Sequence, residues 1–218
     1  MPRPPEAWFW LGPLPLPEAW LNNAERRSSQ RLRNPHARQL AINAHLLKRY
    51  ALSQRVPERP PAQWQFATSP LGKPEVGDAA CHFNVSHADR ACAVAVSDAP
   101  IGIDIERQRQ LADLDTLATR VLTRAEYDWL QNQPHRSHQL IRLWTLKEAA
   151  LKAAGQGLRM DPKAVRIRAP HADVSQVQLP DGSCWMCQSR QLSGYWLTTA
   201  SSHFDEVRLR TGGIPGHG

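Results

Sequence analysis

No apolar run in this chain approaches the ~20 residues that a membrane-spanning helix needs. Residues 1–17 carry Trp and Leu but are repeatedly broken by proline. They offer neither the continuous apolar stretch nor the small-residue cleavage site of a secretory leader. Cysteine is scarce, with four in 218 residues, which argues against a disulfide framework. Cys184 and Cys187 form a C-x-x-C, but no second pair follows at zinc spacing. Cys81 and Cys92 flank an expected strand pair. Free thiols in a reducing compartment, and hence a cytoplasmic protein, are expected. Also missing are a Gly-x-Ser-x-Gly elbow and any zinc-finger or RNA-binding signature. What is present is ordinary globular composition, 41% hydrophobic and 22% charged, which excludes disordered and collagen-like chains.

Charge is unevenly placed. Up to Glu75 there are eleven Lys/Arg against five Asp/Glu; the remainder is nearly balanced. The excess concentrates in Arg26, Arg27, Arg31, Arg33 and Arg38, followed by Lys48 and Arg49. Such a patch suits a polyanion: a nucleic acid, a phosphorylated ligand or an acidic protein. Aromatics do not interleave with the basic residues, so nucleic acid is not favoured.

A short strand is expected around Trp8–Leu11. A helix over 34–52 should be capped by Asn34, with Pro35 at its first position and Leu40, Ala44 and Leu47 as its apolar stripe. Strands are predicted at Trp64–Thr68, His82–Val85, Ala91–Ser97 and Ile101–Glu106, with Ser86 and His87 in the loop after the second. Thr123-Arg-Ala-Glu126 reads as a capping box. A long helix should run from His138 to Ala154 and stop at Gly155. Short strands are expected at Ala164–Arg168, Val174–Leu179, Ser183–Gln188, Tyr195–Ser201 and Val207–Arg210. This order suggests two α+β halves, 1–99 and 100–210, with a loose tail over 211–218.

Ile101-Gly-Ile-Asp-Ile-Glu106 alternates apolar and polar residues. Strand periodicity puts Asp104 and Glu106 on one face, about 6–7 Å apart. Carboxylates that close repel one another unless they are solvated or a cation lies between them. Glu148 and Lys152 are i, i+4 on the long helix, which by itself is an ordinary exposed pair. If Glu148 came beside Asp104 and Glu106, the three would form an all-oxygen site suited to Mg²⁺. Ser86-His87 is no hydrolytic dyad, since adjacent residues point apart, but a hydroxyl and an imidazole at a strand end suit a phosphate oxygen.

Gly72-Lys73-Pro74, Phe83-Asn-Val-Ser-His87, Ile101-Gly-Ile-Asp-Ile-Glu106 and Trp144-Thr-Leu-Lys-Glu-Ala-Ala-Leu-Lys152, followed by Gly155-Gln-Gly157, occur here in that order. Together they resemble the Sfp-type 4′-phosphopantetheinyl transferases over about residues 30–160. The resemblance implies an α+β fold of two pseudo-symmetric halves with coenzyme A in the cleft between them. It implies Asp104, Glu106 and Glu148 as Mg²⁺ ligands. Lys73, Ser86, His87 and Lys152 would hold the phosphates of coenzyme A, with Arg31 and Arg38 at its 3′-phosphate. Glu148 would act as base and Lys152 would assist the leaving phosphate. Ala88 departs from the family, which often has a further hydroxyl there. Glu106 resembles the larger Sfp-type members rather than the trimeric holo-ACP synthase type. The implied activity is transfer of phosphopantetheine to a serine of an apo acyl or peptidyl carrier protein by a monomer, with neither nucleic acid nor membrane as partner. The alternatives are a Mg²⁺-dependent phosphohydrolase of a nucleotide-like substrate and a basic nucleic-acid-binding module.

Overall fold

Runs of alternating or small β-branched residues form the strands of this α+β protein, and apolar residues at helical spacing form two long helices that cover its sheets. The computed structural model describes residues 3–69, 72–77, 81–156, 160–203 and 206–212. The chain divides into two compact units, 1–100 with 206–218, and 101–205.

The first unit carries β1 (Glu6–Leu11), α1 (Asn23–Gln30), α2 (Pro35–Arg55), β2 (Phe66–Thr68), β3 (Pro74–Val76), β4 (His82–Ala88), β5 (Ala91–Ser97) and β11 (Arg208–Thr211). Its main sheet has the order β11-β1-β5-β4, and β2 and β3 form a separate ribbon. Asn34 accepts from the His36 and Ala37 amides and so opens α2 as expected. Leu40, Ala44 and Leu47 are all buried. Full burial of one such leucine is worth about 2 kcal/mol. They pack in one core with Trp8, Trp64, Phe83, Val94 and Val96.

Three expectations change in this unit. First, α1 was not foreseen, although Asn22 and Glu25 build its capping box. Second, Lys48 and Arg49 do not belong to a surface patch. They are 4% and 0% exposed, and both bind the Glu25 carboxylate, Lys48 Nζ at 2.7 Å and Arg49 Nε at 2.8 Å. Burial alone would raise the Glu25 carboxyl, but the two cations more than offset it and leave it below its ordinary value. Third, Arg208–Thr211 pairs in parallel with β1, so the last strand returns to the first unit rather than ending the second. Residues 213–218 of the expected tail lie outside the described residues.

The second unit carries β6 (Ile101–Arg107), α3 (Leu114–Val121), α4 (Arg124–Gln131), α5 (Arg136–Ala153), β7 (Arg166–Arg168), β8 (Val174–Gln178), β9 (Cys184–Leu192) and β10 (Tyr195–Ser201). The sheet order is β6-β10-β9-β8-β7. Leu140, Leu143, Leu146 and Ala150 of α5 pack with Val177, Cys187 and Ala200 of the sheet. Gly155, at φ +73°, occupies the left-handed conformation that ends the helix region. The Thr123–Glu126 capping box forms, and Glu126 also takes Lys147 Nζ at 2.7 Å and the Ile167 amide at 2.8 Å. None of the four cysteines is joined in a disulfide. Cys184 is exposed and Cys187 buried, as a three-residue offset on one strand dictates. No helix among the described residues is long and apolar enough to cross a membrane.

Candidate active site

In the second unit, β6 and α5 approach unusually closely, and Gly102 is the reason. A Cβ at Gly102 would lie 2.0 Å from the Ala149 carbonyl oxygen and 2.6 Å from the Ala153 nitrogen. Only glycine lets the helix backbone sit there. The strand period places Asp104 and Glu106 on the same face as Gly102. The helix, brought in against Gly102, delivers Glu148 and Lys152. Lys152 Nζ donates to Asp104 Oδ1 at 2.7 Å, so the expected Glu148–Lys152 helix pair gives way to a pair between helix and strand.

The site is largely desolvated. Asp104 is 5% exposed and Glu148 6%. Burial, followed by the charge on Asp104, pushes the Glu148 carboxyl up to about 7, with Glu106 adding to the rise and Lys152 opposing it. Glu106 is also raised, by burial and by Asp104, while Arg109 Nη1 stands 3.6 Å from it. Asp104 raises the proton affinity of both glutamates, and Glu106 adds to that of Glu148, so the three acids share one electrostatic neighbourhood.

Among the described residues, no three His, Cys, Asp or Glu side chains converge as a ready-made metal cage. Glu148 Oε1 is nevertheless buried and accepts no hydrogen bond from them. A hard divalent ion fits these donors: all are carboxylate oxygens, one has an unsatisfied buried lone pair, and their mutual repulsion calls for positive charge. Mg²⁺ in particular keeps several waters and shares its shell with phosphate oxygens, so it does not require a closed protein cage.

The remaining residues expected to form the site lie in the first unit. Ser86 and His87 are on β4, not in a loop after it; the turn is Asp89-Arg90 alone. Being consecutive on a strand they face opposite ways, Ser86 buried and His87 exposed. Lys73 sits on the tight connection between β2 and β3, where its amide donates to Ser69 Oγ at 3.0 Å, and burial lowers the basicity of its amine. Arg31 is exposed at the C-terminal end of α1. Arg38 donates twice to the Leu32 carbonyl, at 3.2 and 3.0 Å, so part of its guanidinium fastens the α1–α2 connection. Gly157 lies outside the described residues.

Sequence reasoning missed the structural importance of Gly102, although a glycine inside an otherwise β-branched strand signals a close backbone approach. It also missed an apolar cavity of about 210 Å³ beside the acids, lined by Glu106, Leu111, Leu117, Leu140 and Trp144. Leu117 is 39% exposed at its rim.

Known proteins give this geometry a context. A family model described as the 4′-phosphopantetheinyl transferase superfamily matches residues 100–200, the stretch that holds β6 and α5. The 4′-phosphopantetheinyl transferase HetI of Nostoc sp. is 33% identical over 180 residues, covering 72% of this chain and 75% of the relative. The transferase Sfp of Bacillus subtilis is 30% identical over 146 residues, covering 65% of this chain and 64% of that protein. A holo-[acyl-carrier-protein] synthase of Blochmanniella pennsylvanica is 31% identical over 98 residues, covering 43% of this chain and 78% of the relative. With that degree of identity across three quarters of the Nostoc protein, the chain belongs to the 4′-phosphopantetheinyl transferase superfamily.

Proposed function

We propose that this protein transfers the 4′-phosphopantetheine arm of coenzyme A to a serine of an apo acyl or peptidyl carrier protein, releasing 3′,5′-ADP. The observation that carries the reading is the group formed by buried Asp104 and Glu148 with half-buried Glu106 and Lys152 within the family-matched stretch. The serine Oγ attacks the β-phosphorus of coenzyme A, the bond to the bridging oxygen breaks, and the 3′,5′-ADP oxygen leaves. A serine hydroxyl is a weak nucleophile at neutral pH and needs a base. Glu148, which α5 delivers beside Asp104 and Glu106, takes that proton directly or through a water. Lys152 supports charge on the leaving phosphate.

Asp104, Glu106 and Glu148 would hold Mg²⁺, and the ion would supply neutralisation of the charge that develops on the pyrophosphate. From the first unit, Lys73, Ser86 and His87 contribute donors for the phosphates of coenzyme A, with Arg31 and Arg38 for its 3′-phosphate. Leu111, Leu114 and Leu117 offer apolar surface to the carrier. The enzyme acts as a cytoplasmic monomer.

Incubation with an apo carrier, coenzyme A and Mg²⁺ should add the mass of one phosphopantetheine arm to the carrier, and EDTA should prevent it. Release of free phosphopantetheine with no carrier modified would favour a phosphohydrolase instead.

A further inference from the structure

The second unit carries a separate cationic groove of about 710 Å³ between the start of α4 and the edge strand β7. Four cations line it: Arg124 on α4, Lys163 on the turn before β7, and Arg166 and Arg168 on β7. All four are exposed. The acids around it are already engaged. Glu126 lines the groove, but its carboxylate is spent on Lys147, the Ile167 amide and the Thr123 amide. Asp128 pairs with Arg124 at 2.9 Å, and Asp161 caps the Lys163 amide. Among the described residues no acid pairs with Lys163, Arg166 or Arg168. Arg168 reaches only the Gln178 side chain, at 3.1 Å. Lys163, Arg166 and Arg168 thus carry positive charge that no described acid pairs with, in a chain half whose overall charge is close to neutral.

We propose that this groove is a docking surface for an acidic helical segment of a protein partner. Arg166 and Arg168 are i, i+2 on one strand face, roughly 6–7 Å apart. Carboxylates one turn apart on a helix are spaced by about 5–6 Å, so two guanidinium forks can engage two successive turns, each in bidentate fashion. Ile167, between them, faces inward with its amide held by Glu126. That closes this point of the strand edge to an added strand and leaves side chains to do the reading. Half-buried Trp129 lines the same groove and offers apolar contact for the stems of acidic side chains. The cations are confined to this short cleft, which suits one helix face better than the long uniform charge of a nucleic-acid strand. The proposal is independent of the transferase reading.

The test uses fluorescence anisotropy with the full chain. The probe is a labelled 16-residue alanine-based helical peptide with glutamates on one face at i, i+4, run beside its all-glutamine counterpart and a single-stranded DNA 16-mer. Arg166→Glu/Arg168→Glu is compared with Arg120→Glu/Arg208→Glu, two exposed arginines outside both the groove and the N-terminal basic cluster, with the same change in charge. The groove pair should weaken acidic-peptide binding by about tenfold or more at low salt, and the control pair by less than about twofold. Circular dichroism should show both variants folded. Equal losses in the two variants would reduce the effect to net charge and overturn the proposal. So would absence of peptide binding by the parent, or tighter DNA binding that the groove pair abolishes.

Discussion

At the scale of the residue, Glu148 is held in a state that favours a proton and disfavours its own charge. An unfolded glutamate titrates near 4.5, and in the folded protein burial and Asp104 move Glu148 to about 7. Between those values the folded state binds more protons than the unfolded state, so this group's stabilising contribution is complete below 4.5 and is lost as pH rises through 7. Glu148→Gln removes the titration. In EDTA, thermal melts should show Glu148→Gln more stable than the parent by several degrees at pH 8, with the gap shrinking towards pH 5. Added Mg²⁺ should then raise the melting temperature of the parent more than that of the variant. Glu25 presents the opposite case, since its carboxylate neutralises two cations that are themselves buried. Glu25→Ala leaves Lys48 and Arg49 without their acid and should cost about 3–5 kcal/mol in denaturant unfolding. At this scale the sequence was a partial guide. The Asp104/Glu106 alternation and the Glu148/Lys152 spacing are visible in it. That Lys152 turns to Asp104, and that Lys48 and Arg49 are buried rather than presented, depends on packing between segments 23 to 48 residues apart.

At the scale of the element, the site depends on α5 lying directly on β6. Gly102→Ala places a methyl group where the Ala149 carbonyl and Ala153 amide now stand. Because those atoms belong to backbone, the helix must move as a body. Gly102→Ala should lower the melting temperature and reduce transfer to the carrier, whereas Gly182→Ala, in an open turn with nothing near its added Cβ, tests local backbone strain alone. If Gly102→Ala matched the parent in both stability and transfer, the close approach would not matter. Elements with strong local signals were legible. Asn34-Pro35 marked α2, the Thr123–Glu126 box marked α4, and the run Tyr195–Ser201 marked β10. Two short helices, α1 and α3, lacked a long apolar stripe, and the tiny strand β3 opens on proline, so none of the three declared itself. The partner of β11 was not readable either, because parallel pairing with β1 joins segments about 200 residues apart and no local pattern specifies so distant a register.

At the scale of the whole molecule, the residues proposed for the site belong to two compact units, 1–100 with 206–218 and 101–205. The metal-type donors and Lys152 belong to the second unit, and Lys73, Ser86, His87, Arg31 and Arg38 to the first. The surplus positive charge of the first third should steer an anionic partner, so the rate of carrier association should fall as ionic strength rises. The most direct test of the account measures the transfer rate to an apo carrier, with coenzyme A and Mg²⁺ at saturation, for the parent and for the folded variants Asp104→Ala and Glu148→Ala. The account predicts a loss of at least ~10²-fold for each, the size usual for a lost electrostatic or acid–base contribution. Near-parental turnover by folded Glu148→Ala would contradict it.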